Sequence, residues 1–376
     1  MISDVPYIII SDVHLGNKNN TIREIIANID LFFNNYKPRT DKLKIIFIAG
    51  DLFDRLLDMS EDGIDELMLW LGRIITYCTF NKIKLRVLEG TPSHDWCQSS
   101  KIASIISLLQ SDIDYKYIDT LDIEIMKDLD ISVLYVPDEW NSDTQVTFNQ
   151  VRELMQSNGL NKVDIAIMHG QFTYQLPFKA IKAPRHDEAS YLSIVKHYIH
   201  IGHVHQFSFY ERIVAQGSFD RLIHGDEEPK GAVYAIIRDK GEDEYFFIEN
   251  KLAKTFLTIK IKDMTLEAST DYIEKKLKKL RKGSYIRIKA DKNHILYKNF
   301  ELLKKKFIDF VFTKYNDEEA KEENDADIMA QDIATYNSIV IRRETIEDLL
   351  YSAITSKYNL PTESFELIKR HVSEAI

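Results

Sequence analysis

Short apolar runs alternate with longer amphipathic stretches through the first 250 residues of the chain. Each apolar run has the length of a buried strand and is bounded by polar or turn-forming residues. Strands are predicted at 6–11, 44–49, 83–89, 131–136, 163–168 and 198–202. Residues 205–250 continue with shorter strands, which predict an antiparallel portion at the end of this region. The alternation of strands with helices is typical of an α/β fold.

The stretches between the apolar runs carry helix signals. Thr21 and Glu24 form a capping-box pattern, and the isoleucines that follow Thr21 recur at the spacing of one helical face. A second helix is predicted from Ser60 to about Thr79. Both helices are expected to cover a face of the sheet.

The pattern changes near residue 253. The segment 253–315 is predicted to be a compact βαβαβ-like unit, in which lysine-rich helices separate three apolar strands. The segment 316–342 contains a strongly acidic stretch and is predicted to be a solvated linker. The segment 343–376 holds two short amphipathic helices, which need a surface to lie on. These three segments follow a main domain that is predicted to span 1–252.

Composition excludes several classes of protein. Hydrophobic residues make up 44% of the 376 residues, which excludes a chain that is disordered throughout. No apolar run approaches the roughly 18 residues of a membrane-spanning helix, and the first residues lack the pattern of a signal peptide. Two cysteines, Cys78 and Cys97, can build neither a disulfide framework nor a cysteine zinc site. The expected compartment is therefore the cytoplasm, with no membrane partner.

The net charge of −10 conceals a polarised chain. Residues 317–327 carry a local charge of −6, whereas residues 275–306 contain thirteen Lys or Arg residues and carry a local charge of +11. A solvated helix face is the usual meaning of such a basic run. Several lysines in one small domain would also give salt-dependent, sequence-independent binding to phosphates. The basic region is therefore compatible with a nucleic-acid partner despite the negative total.

Acidic and imidazole side chains follow the predicted strands at the points where the strands end. The motifs are Asp12-Val13-His14, Gly50-Asp51, Gly90-Thr91-Pro92-Ser93-His94-Asp95, His169-Gly170 and Gly202-His203-Val204-His205. In open α/β sheets, ligands bind at the carboxyl ends of the strands. Alternation along an extended chain places Asp12 and His14 on one side, and likewise His203 and His205. The motifs are therefore predicted to converge at one rim of the sheet.

This set of side chains suits phosphodiester hydrolysis. That reaction requires neutralisation of the charge on the phosphate oxygens and activation of water near neutral pH, and two divalent ions about 3.5–4 Å apart meet both needs. Oxygen and nitrogen ligands without sulfur favour Mn²⁺, Mg²⁺, Fe²⁺ or Zn²⁺ over a structural zinc site. The candidate ligands are Asp12, His14, Asp51, His169, His203 and His205.

The motifs in this order resemble the calcineurin-like metallophosphoesterases. The segments Gly217-Ser218-Phe219-Asp220-Arg221 and Gly225–Gly231 (GDEEPKG) resemble more narrowly the SbcD-type DNA-repair exonuclease subunits and their phage and archaeal relatives. The resemblance covers about residues 6–238. It implies a sandwich of mixed β-sheets flanked by helices, a small α+β capping domain at 253–315 and C-terminal helices. The expected location becomes the cytoplasm of a bacterium or of a phage-infected host.

The family's site residues can be carried over motif by motif. The resemblance implies that Asp12, His14 and His205 hold one ion, that His169 and His203 hold the other, and that Asp51 bridges the two. It also implies two Mn²⁺ ions, with Mg²⁺ or another divalent ion as alternatives. His94 matches the histidine that contacts the scissile phosphate and protonates the leaving oxygen, a task that suits an imidazole.

The third motif departs from the family pattern G-N-H-D or G-N-H-E. In that pattern the asparagine carbonyl binds the second ion. Here Ser93 precedes His94, and Thr91 and Pro92 lengthen the approach from Gly90. Three alternatives remain open: Ser93 takes the place of the asparagine, a water molecule fills it, or the second ion binds more weakly. Ser93 is the predicted ligand at this position.

The sequence and the resemblance together predict an Mn²⁺-dependent nuclease, a double-stranded DNA exonuclease with single-strand endonuclease activity. The implied partners are DNA and an SbcC-like ATPase of the SMC type, docked through 343–376, in a particle with two copies of each chain. The alternatives are a small-substrate phosphodiesterase or phosphatase and a catalytically weakened scaffold that binds DNA. The candidate DNA-binding residues are Lys275, Lys278, Lys279, Lys282 and Arg287.

Overall fold

The computed structural model of the chain describes residues 4–36, 42–138, 143–176 and 183–315. Apart from Ala183, these residues belong to one compact unit. The predicted linker at 316–342 and the predicted docking segment at 343–376 lie outside the described residues. Within the described part of the chain, no helix is long and apolar enough to cross a membrane.

The strands of the described residues form two six-stranded sheets and one three-stranded sheet. In chain order the strands are β1 Val5–Ile10, β2 Ile45–Ala49, β3 Lys84–Leu88, β4 Tyr115–Ile118, β5 Asp122–Met126, β6 Ile131–Val136, β7 Ile165–Gly170, β8 Ile199–His203, β9 Ser208–Tyr210, β10 Ile213–Ala215, β11 Gly231–Ile237, β12 Glu244–Glu249, β13 Phe256–Lys260, β14 Tyr285–Lys289 and β15 Val311–Lys314. Short 3₁₀ turns occupy Gln98–Lys101 and Thr173–Gln175.

The helices lie mostly between these strands. They are α1 Ile22–Asn35, α2 Ile64–Asn81, α3 Pro92–Asp95, α4 Ile102–Leu108, α5 Thr144–Ser157, α6 Glu188–Ile194, α7 Leu266–Leu277, α8 Ile295–Lys298 and α9 Phe300–Lys306. Mixed sheets with helices on their faces confirm the predicted α/β class.

Parallel strands occupy the centre of both large sheets. The first sheet has the order β12-β11-β1-β2-β3-β4, and β1 to β4 run parallel while β11 pairs with β1 in the antiparallel sense. The second has the order β5-β6-β7-β8-β10-β9, with β6, β7, β8 and β10 parallel. The carboxyl ends of β1, β2 and β3 therefore share one edge, and those of β7 and β8 share another.

The two large sheets face each other across an apolar core. Tyr7 and Ile9 of β1 point into this core together with Val133 and Tyr135 of β6. Because successive side chains of a strand point to opposite faces, Ile8 and Ile10 lie on the other face of the first sheet. There they pack in the cluster that contains Ile25 of α1 and Leu71 of α2. On the outer face of the second sheet, a further cluster joins β7 to α5 and α6. The order of layers is helix, sheet, sheet, helix.

The segment 253–315 has a sheet and a core of its own. Strands β13, β14 and β15 are parallel neighbours, and α7, α8 and α9 contribute Ile273, Leu296 and Leu303 to their core. This segment also contacts the main domain, since the Tyr285 hydroxyl donates to the Asn19 carbonyl at 2.8 Å. Lys254 Nζ forms an ion pair with Glu24 at 2.8 Å.

Two local features show where the sequence prediction was accurate and where it was not. The capping box is confirmed, because Thr21 Oγ1 accepts from the Glu24 N–H and the Glu24 carboxylate accepts from the Thr21 N–H. The second helix begins at Ile64 and not at Ser60. Asp58 accepts hydrogen bonds from the N–H and the hydroxyl of Ser60, which fixes a turn instead.

Candidate metal centre

The predicted Asp and His residues lie directly after, or at the ends of, the central parallel strands. Asp12 and His14 follow β1, and Asp51 follows β2. His169 is the residue before the last in β7, and His203 is the last residue of β8. The structure brings these side chains together with His94, from the segment after β3, and His205. Parallel neighbours end at the same edge, which brings Asp12 near Asp51 in the first sheet and His169 near His203 in the second. The packing of the two sheets then brings the two edges together.

Three groups of side chains are close enough to share an ion. Asp12, His14 and His205 form one group, and Asp51, His169 and His203 form another. His14, Asp51 and His94 form a third group between them, and within each group the candidate ligand atoms all lie within 4.8 Å of one another. Carboxylate oxygens and imidazole nitrogens are suitable ligands for Mn²⁺, Mg²⁺, Fe²⁺ and Zn²⁺. The donor set therefore fits a divalent cation on each side of Asp51.

Asp51 occupies the middle of the cluster and is 1% exposed. Its Oδ1 lies 3.3 Å from His169 Nε2, and its Oδ2 lies 3.7 Å from His14 Nε2. The two oxygens of one carboxylate thus face the two groups. This is the position that a bridging ligand requires.

Four of the candidate ligands have left-handed backbone conformations. The φ angles are 49° for Asp12, 52° for His14, 51° for Asp51 and 98° for His203. Such conformations are uncommon for residues with a Cβ and persist where the surroundings fix them. Here the loops fix one another, because the N–H groups of Val13 and His14 both donate to the Asp51 carbonyl, at 2.9 and 3.1 Å.

Two glycines allow the loops to approach this closely. A Cβ on Gly50, which has a φ of 84°, would overlap His169 Nδ1. A Cβ on Gly90 would overlap the backbone nitrogen of Asp51. A side chain at Gly50 or Gly90 would therefore displace a candidate ligand.

Contacts at Nδ1 fix the ring orientation of two of the histidines. His169 Nδ1 donates to the Ala49 carbonyl at 2.8 Å, which directs Nε2 toward Asp51. His14 Nδ1 lies 3.0 Å from Asp54 Oδ1, which directs Nε2 toward His205. Bonds of this kind to the second ring nitrogen orient metal-binding histidines in proteins. Asp54 therefore positions His14 and is not part of the groups that face an ion.

Burial and mutual charge set the protonation of the cluster. Burial opposes ionisation of Asp51, but His169 and His94 hold the pKa of its carboxyl well below the usual range. Burial also opposes protonation of His169, but Asp51 raises the pKa of that imidazole well above its ordinary value. Burial lowers the pKa of His203 to about 4. A cation would replace the proton on His169 and would find His203 already neutral.

The structure does not support Ser93 as a ligand. Ser93 is exposed in the short helix α3, and its carbonyl accepts from Trp96 Nε1 at 2.7 Å. Pro92 begins this helix directly after Thr91, and the helix directs His94 and Asp95 toward the cluster while Ser93 lies on its exposed side. Thr91 has the hydroxyl that faces the site: its Oγ1 lies 3.4 Å from Asp51 Oδ2. The sequence analysis selected Ser93 because it directly precedes His94 in the motif; in the structure the hydroxyl nearer the candidate ligands is that of Thr91.

Asp95 has a supporting role that the sequence prediction did not include. Its carboxylate is fully buried and accepts from three backbone N–H groups, those of Asp51, Phe53 and Gly90, at 3.0, 2.9 and 2.7 Å. It therefore joins the loop after β2 to the loop after β3. The sequence feature that could have indicated this role is the position of Asp95 immediately after His94.

Lys230 is a second supporting residue that the sequence prediction did not include. Its side chain is fully buried, and its Nζ donates to the His205 carbonyl at 2.8 Å. The same ammonium group pairs with Glu228 at 2.7 Å and with Asp226 at 3.3 Å. Lysine is almost never fully buried without such partners. Lys230 thus fixes the backbone that carries His205.

His94 lies at the accessible side of the cluster. Its side chain is 32% exposed, and its Nδ1 is 2.8 Å from Asp51 Oδ2. Burial opposes its protonation, but Asp51 raises the pKa of His94 to about 9. A partly exposed imidazole beside the Asp51 carboxylate can reach a bound molecule.

The candidate DNA-binding residues differ in accessibility. Lys275, Lys278 and Lys279 are exposed, and Lys282 is exposed but paired with Asp309 at 2.9 Å. Helix α7 ends at Leu277, so Lys278, Lys279 and Lys282 follow the helix. Arg287 is only 8% exposed, and its Nε donates to Thr258 Oγ1 at 3.2 Å within the small domain. Arg287 is therefore part of the sheet interior and does not present its guanidinium to a phosphate at the surface.

Comparisons with known proteins add little to this description. No protein-family model matches the chain, and no curated protein matches it. The crystal structure of TT1561 of Thermus thermophilus is similar to the chain with a TM-score of 0.38 and 9% sequence identity, over 65% of this chain and 99% of that chain. A second crystal structure gives the same values. A TM-score of this size carries no argument, so the α/β architecture and the clustered ligands rest on the chain's own structure.

Proposed function

We propose that the chain is a calcineurin-like metallophosphoesterase that hydrolyses DNA with two divalent ions, as the nuclease subunit of an SbcD-like repair complex. One observation carries the proposal: two groups of candidate ligands lie on either side of the Asp51 carboxylate at the rim of the central strands. A shared carboxylate between two oxygen- and nitrogen-rich groups is the arrangement that two-ion phosphate chemistry requires.

Each part of the site has a defined task in this proposal. Asp12, His14 and His205 would hold one ion, His169 and His203 would hold the other, and Asp51 would contact both. When bound, the ions would neutralise the phosphate charge and activate water. The protein fixes the ligand positions through its interlocked loops. His94, at the accessible side, would donate a proton to the departing sugar oxygen.

A cleavage assay tests the proposal. The protein is expected to degrade linear duplex DNA in the presence of Mn²⁺, and excess chelator is expected to abolish the reaction. His94→Ala is expected to reduce the cleavage rate by about 10²- to 10⁴-fold, the usual contribution of general acid–base catalysis. The Mn²⁺ stoichiometry of this variant is expected to equal that of the unaltered protein, since His94 is not assigned to an ion.

His197→Ala is the matched control for this assay. His197 is a partly buried histidine paired with Asp243, near the amino end of β8 and so at the opposite edge of the sheet. Its replacement is expected to leave cleavage unchanged. Faster turnover of nitrophenyl phosphates than of DNA would favour the small-substrate enzyme. DNA binding without cleavage under any divalent ion would favour the scaffold.

The basic surface of the small domain supports DNA as the substrate. The exposed lysines Lys275, Lys278 and Lys279 follow one another at the end of α7. Such a cluster has no evident use with a small phosphate ester. Contacts of this kind would hold the backbone of DNA without regard to sequence.

Neutralising these lysines is expected to weaken DNA binding in a salt-dependent manner. The triple variant Lys275→Gln, Lys278→Gln and Lys279→Gln removes up to three positive charges that face phosphates. The slope of the logarithm of the DNA-binding constant against log salt concentration is then expected to become shallower by about 0.9 for each phosphate contact that the variant loses. Fluorescence anisotropy with a labelled duplex at several salt concentrations measures this slope.

The control variant for the basic surface also removes three positive charges, but at the edge of the protein opposite the candidate site. Lys127, Lys162 and Lys240 are exposed and lie in the segments before β6 and β7 and after β11, at the edge opposite the candidate site. Replacing all three by Gln is expected to leave the slope unchanged. Equal changes of slope in both triple variants would mean that only net charge matters, and that Lys275, Lys278 and Lys279 are not the contact surface.

The partner proteins remain predictions. The segment 343–376, through which an SbcC-like ATPase would dock, lies outside the described residues. The two-copy assembly and the cytoplasmic location are likewise expectations from the sequence. The proposed hydrolysis of DNA does not depend on them.

A further inference from the structure

The hydroxyl of Thr91 has three polar neighbours: the two histidines of the second group and the Asp51 carboxylate, through the oxygen that also faces His14. Thr91 Oγ1 lies 3.4 Å from Asp51 Oδ2, 3.5 Å from His169 Nε2 and 3.4 Å from His203 Nδ1. The hydroxyl therefore faces the same space as the carboxylate and the two imidazoles. Ser93, two residues later, is exposed.

These distances are those of ligands around an ion. Hydrogen bonds from a hydroxyl to an oxygen are most often about 2.7–2.8 Å long, so the 3.4 Å contact with Asp51 Oδ2 is long for a hydrogen bond. Ligand atoms that each lie about 2.1 Å from one ion are about 3.0–3.4 Å apart in octahedral or tetrahedral geometry. Asp51 Oδ1 and His169 Nε2 are 3.3 Å apart, which agrees with the same arrangement.

Local structure holds Thr91 in this place. Its backbone N–H donates to Asp51 Oδ1 at 2.6 Å. Its carbonyl accepts from the N–H groups of His94 and Asp95, at 2.8 and 3.0 Å, and so belongs to the first turn of α3. Thr91 is thus fixed on both sides of its Cα while its hydroxyl remains directed at the ligand group.

We propose that Thr91 Oγ1 is a ligand of the ion held by Asp51, His169 and His203. The inference rests on the proposed two-ion function and assigns a ligand that the motif in the sequence left open. A neutral hydroxyl is a poorer donor than an amide oxygen. The second group also has Asp51 as its one carboxylate, whereas the first group has Asp12 in addition to the shared Asp51, so the second ion is expected to bind more weakly than the ion held by Asp12, His14 and His205.

The variant Thr91→Val tests the assignment. It removes the hydroxyl but keeps the side-chain shape and the backbone N–H that donates to Asp51. Titration calorimetry with Mn²⁺ is expected to show two binding events in the unaltered protein. In Thr91→Val the weaker event is expected to lose affinity by at least about 10- to 100-fold, since that is the loss when a residue that only orients a ligand is replaced, while the tighter event is unchanged. Low-temperature EPR of the Mn²⁺-loaded protein reports the same loss as weaker coupling between the two ions.

Two further variants complete the test. Thr91→Ser retains the hydroxyl and is expected to bind both ions as the unaltered protein does. Ser93→Ala removes the other hydroxyl of the motif and is expected to change neither event. Unchanged binding of both ions in Thr91→Val, or a weaker second event in Ser93→Ala, overturns the assignment.

The outcomes also separate this inference from the proposed function. If the unaltered protein binds fewer than two Mn²⁺ ions, both the two-ion function and the Thr91 assignment fail. If it binds two ions, if Thr91→Val weakens one of them and if DNA is not cleaved, the assignment stands and the nuclease proposal fails.

Discussion

Replacing Asp51 by Asn is expected to abolish cleavage and to reduce Mn²⁺ binding to one ion at most. The variant keeps the shape of the side chain but removes the charge that faces both ligand groups, at 3.3 Å from His169 and 3.7 Å from His14. Metal ions supply several kcal/mol of transition-state stabilisation. At about 1.4 kcal/mol for each factor of ten, a rate loss of about 10³-fold or more is expected. Cleavage of linear duplex DNA and Mn²⁺ titration measure the two effects.

Asp58→Asn is the matched control for Asp51→Asn. Asp58 is exposed in the same loop, and its carboxylate accepts from the N–H and the hydroxyl of Ser60. This change is expected to alter neither cleavage nor Mn²⁺ binding. Two ions bound and cleavage at the original rate in Asp51→Asn would contradict the bridging role.

Replacing Lys230 by Met is expected to destabilise the folded protein by about 3–5 kcal/mol, the usual effect of removing one partner of a buried ion pair. The fully buried ammonium group is the partner of Asp226 and Glu228 and also holds the His205 carbonyl. Without it, both carboxylates lose their counter-ion and His205 loses its support. Urea denaturation measures the fall in the free energy of unfolding.

The same variant tests the link between this ion pair and the site. Loss of a supporting residue commonly lowers metal affinity by about 10- to 100-fold, and the ion assigned to Asp12, His14 and His205 is the one expected to be affected. Lys240→Met replaces an exposed lysine in the turn after β11 and is expected to change neither quantity. An unchanged free energy of unfolding in Lys230→Met would show that the buried pair is dispensable.

The sequence predicted the strand-end cluster because its cause is local and periodic. Apolar runs mark the strands, and neighbouring parallel strands end together. Asp12 and Asp51 could therefore be placed at one edge and His169 at the end of another strand without coordinates, but the packing of the two sheets is what brings these residues to one site. Their mutual distances could not be predicted. These depend on left-handed φ angles and on hydrogen bonds between loops that are far apart in the chain.

The errors have a common physical origin in tertiary contacts. Thr91, and not Ser93, faces the candidate ligands, because the Thr91 N–H binds Asp51 and Pro92 starts a helix in which Ser93 is exposed. Arg287 lies in a basic stretch of the sequence and was expected at the surface, but it is buried inside the small domain. Lys230 is buried only because the chain folds Asp226 and Glu228 around it. No periodic pattern in the sequence predicts any of these contacts.

The left-handed residues at the rim also affect how ions would be exchanged. Backbone hydrogen bonds within the protein hold Asp12, His14 and Asp51 in their conformations, so contacts of the fold itself set the positions of these candidate ligands. Preorganisation of this kind removes most of the ordering entropy from binding. Replacing one divalent ion by another would then require no refolding of the scaffold. The choice of ion would follow cellular supply and the chemistry of the donors rather than the energetics of folding.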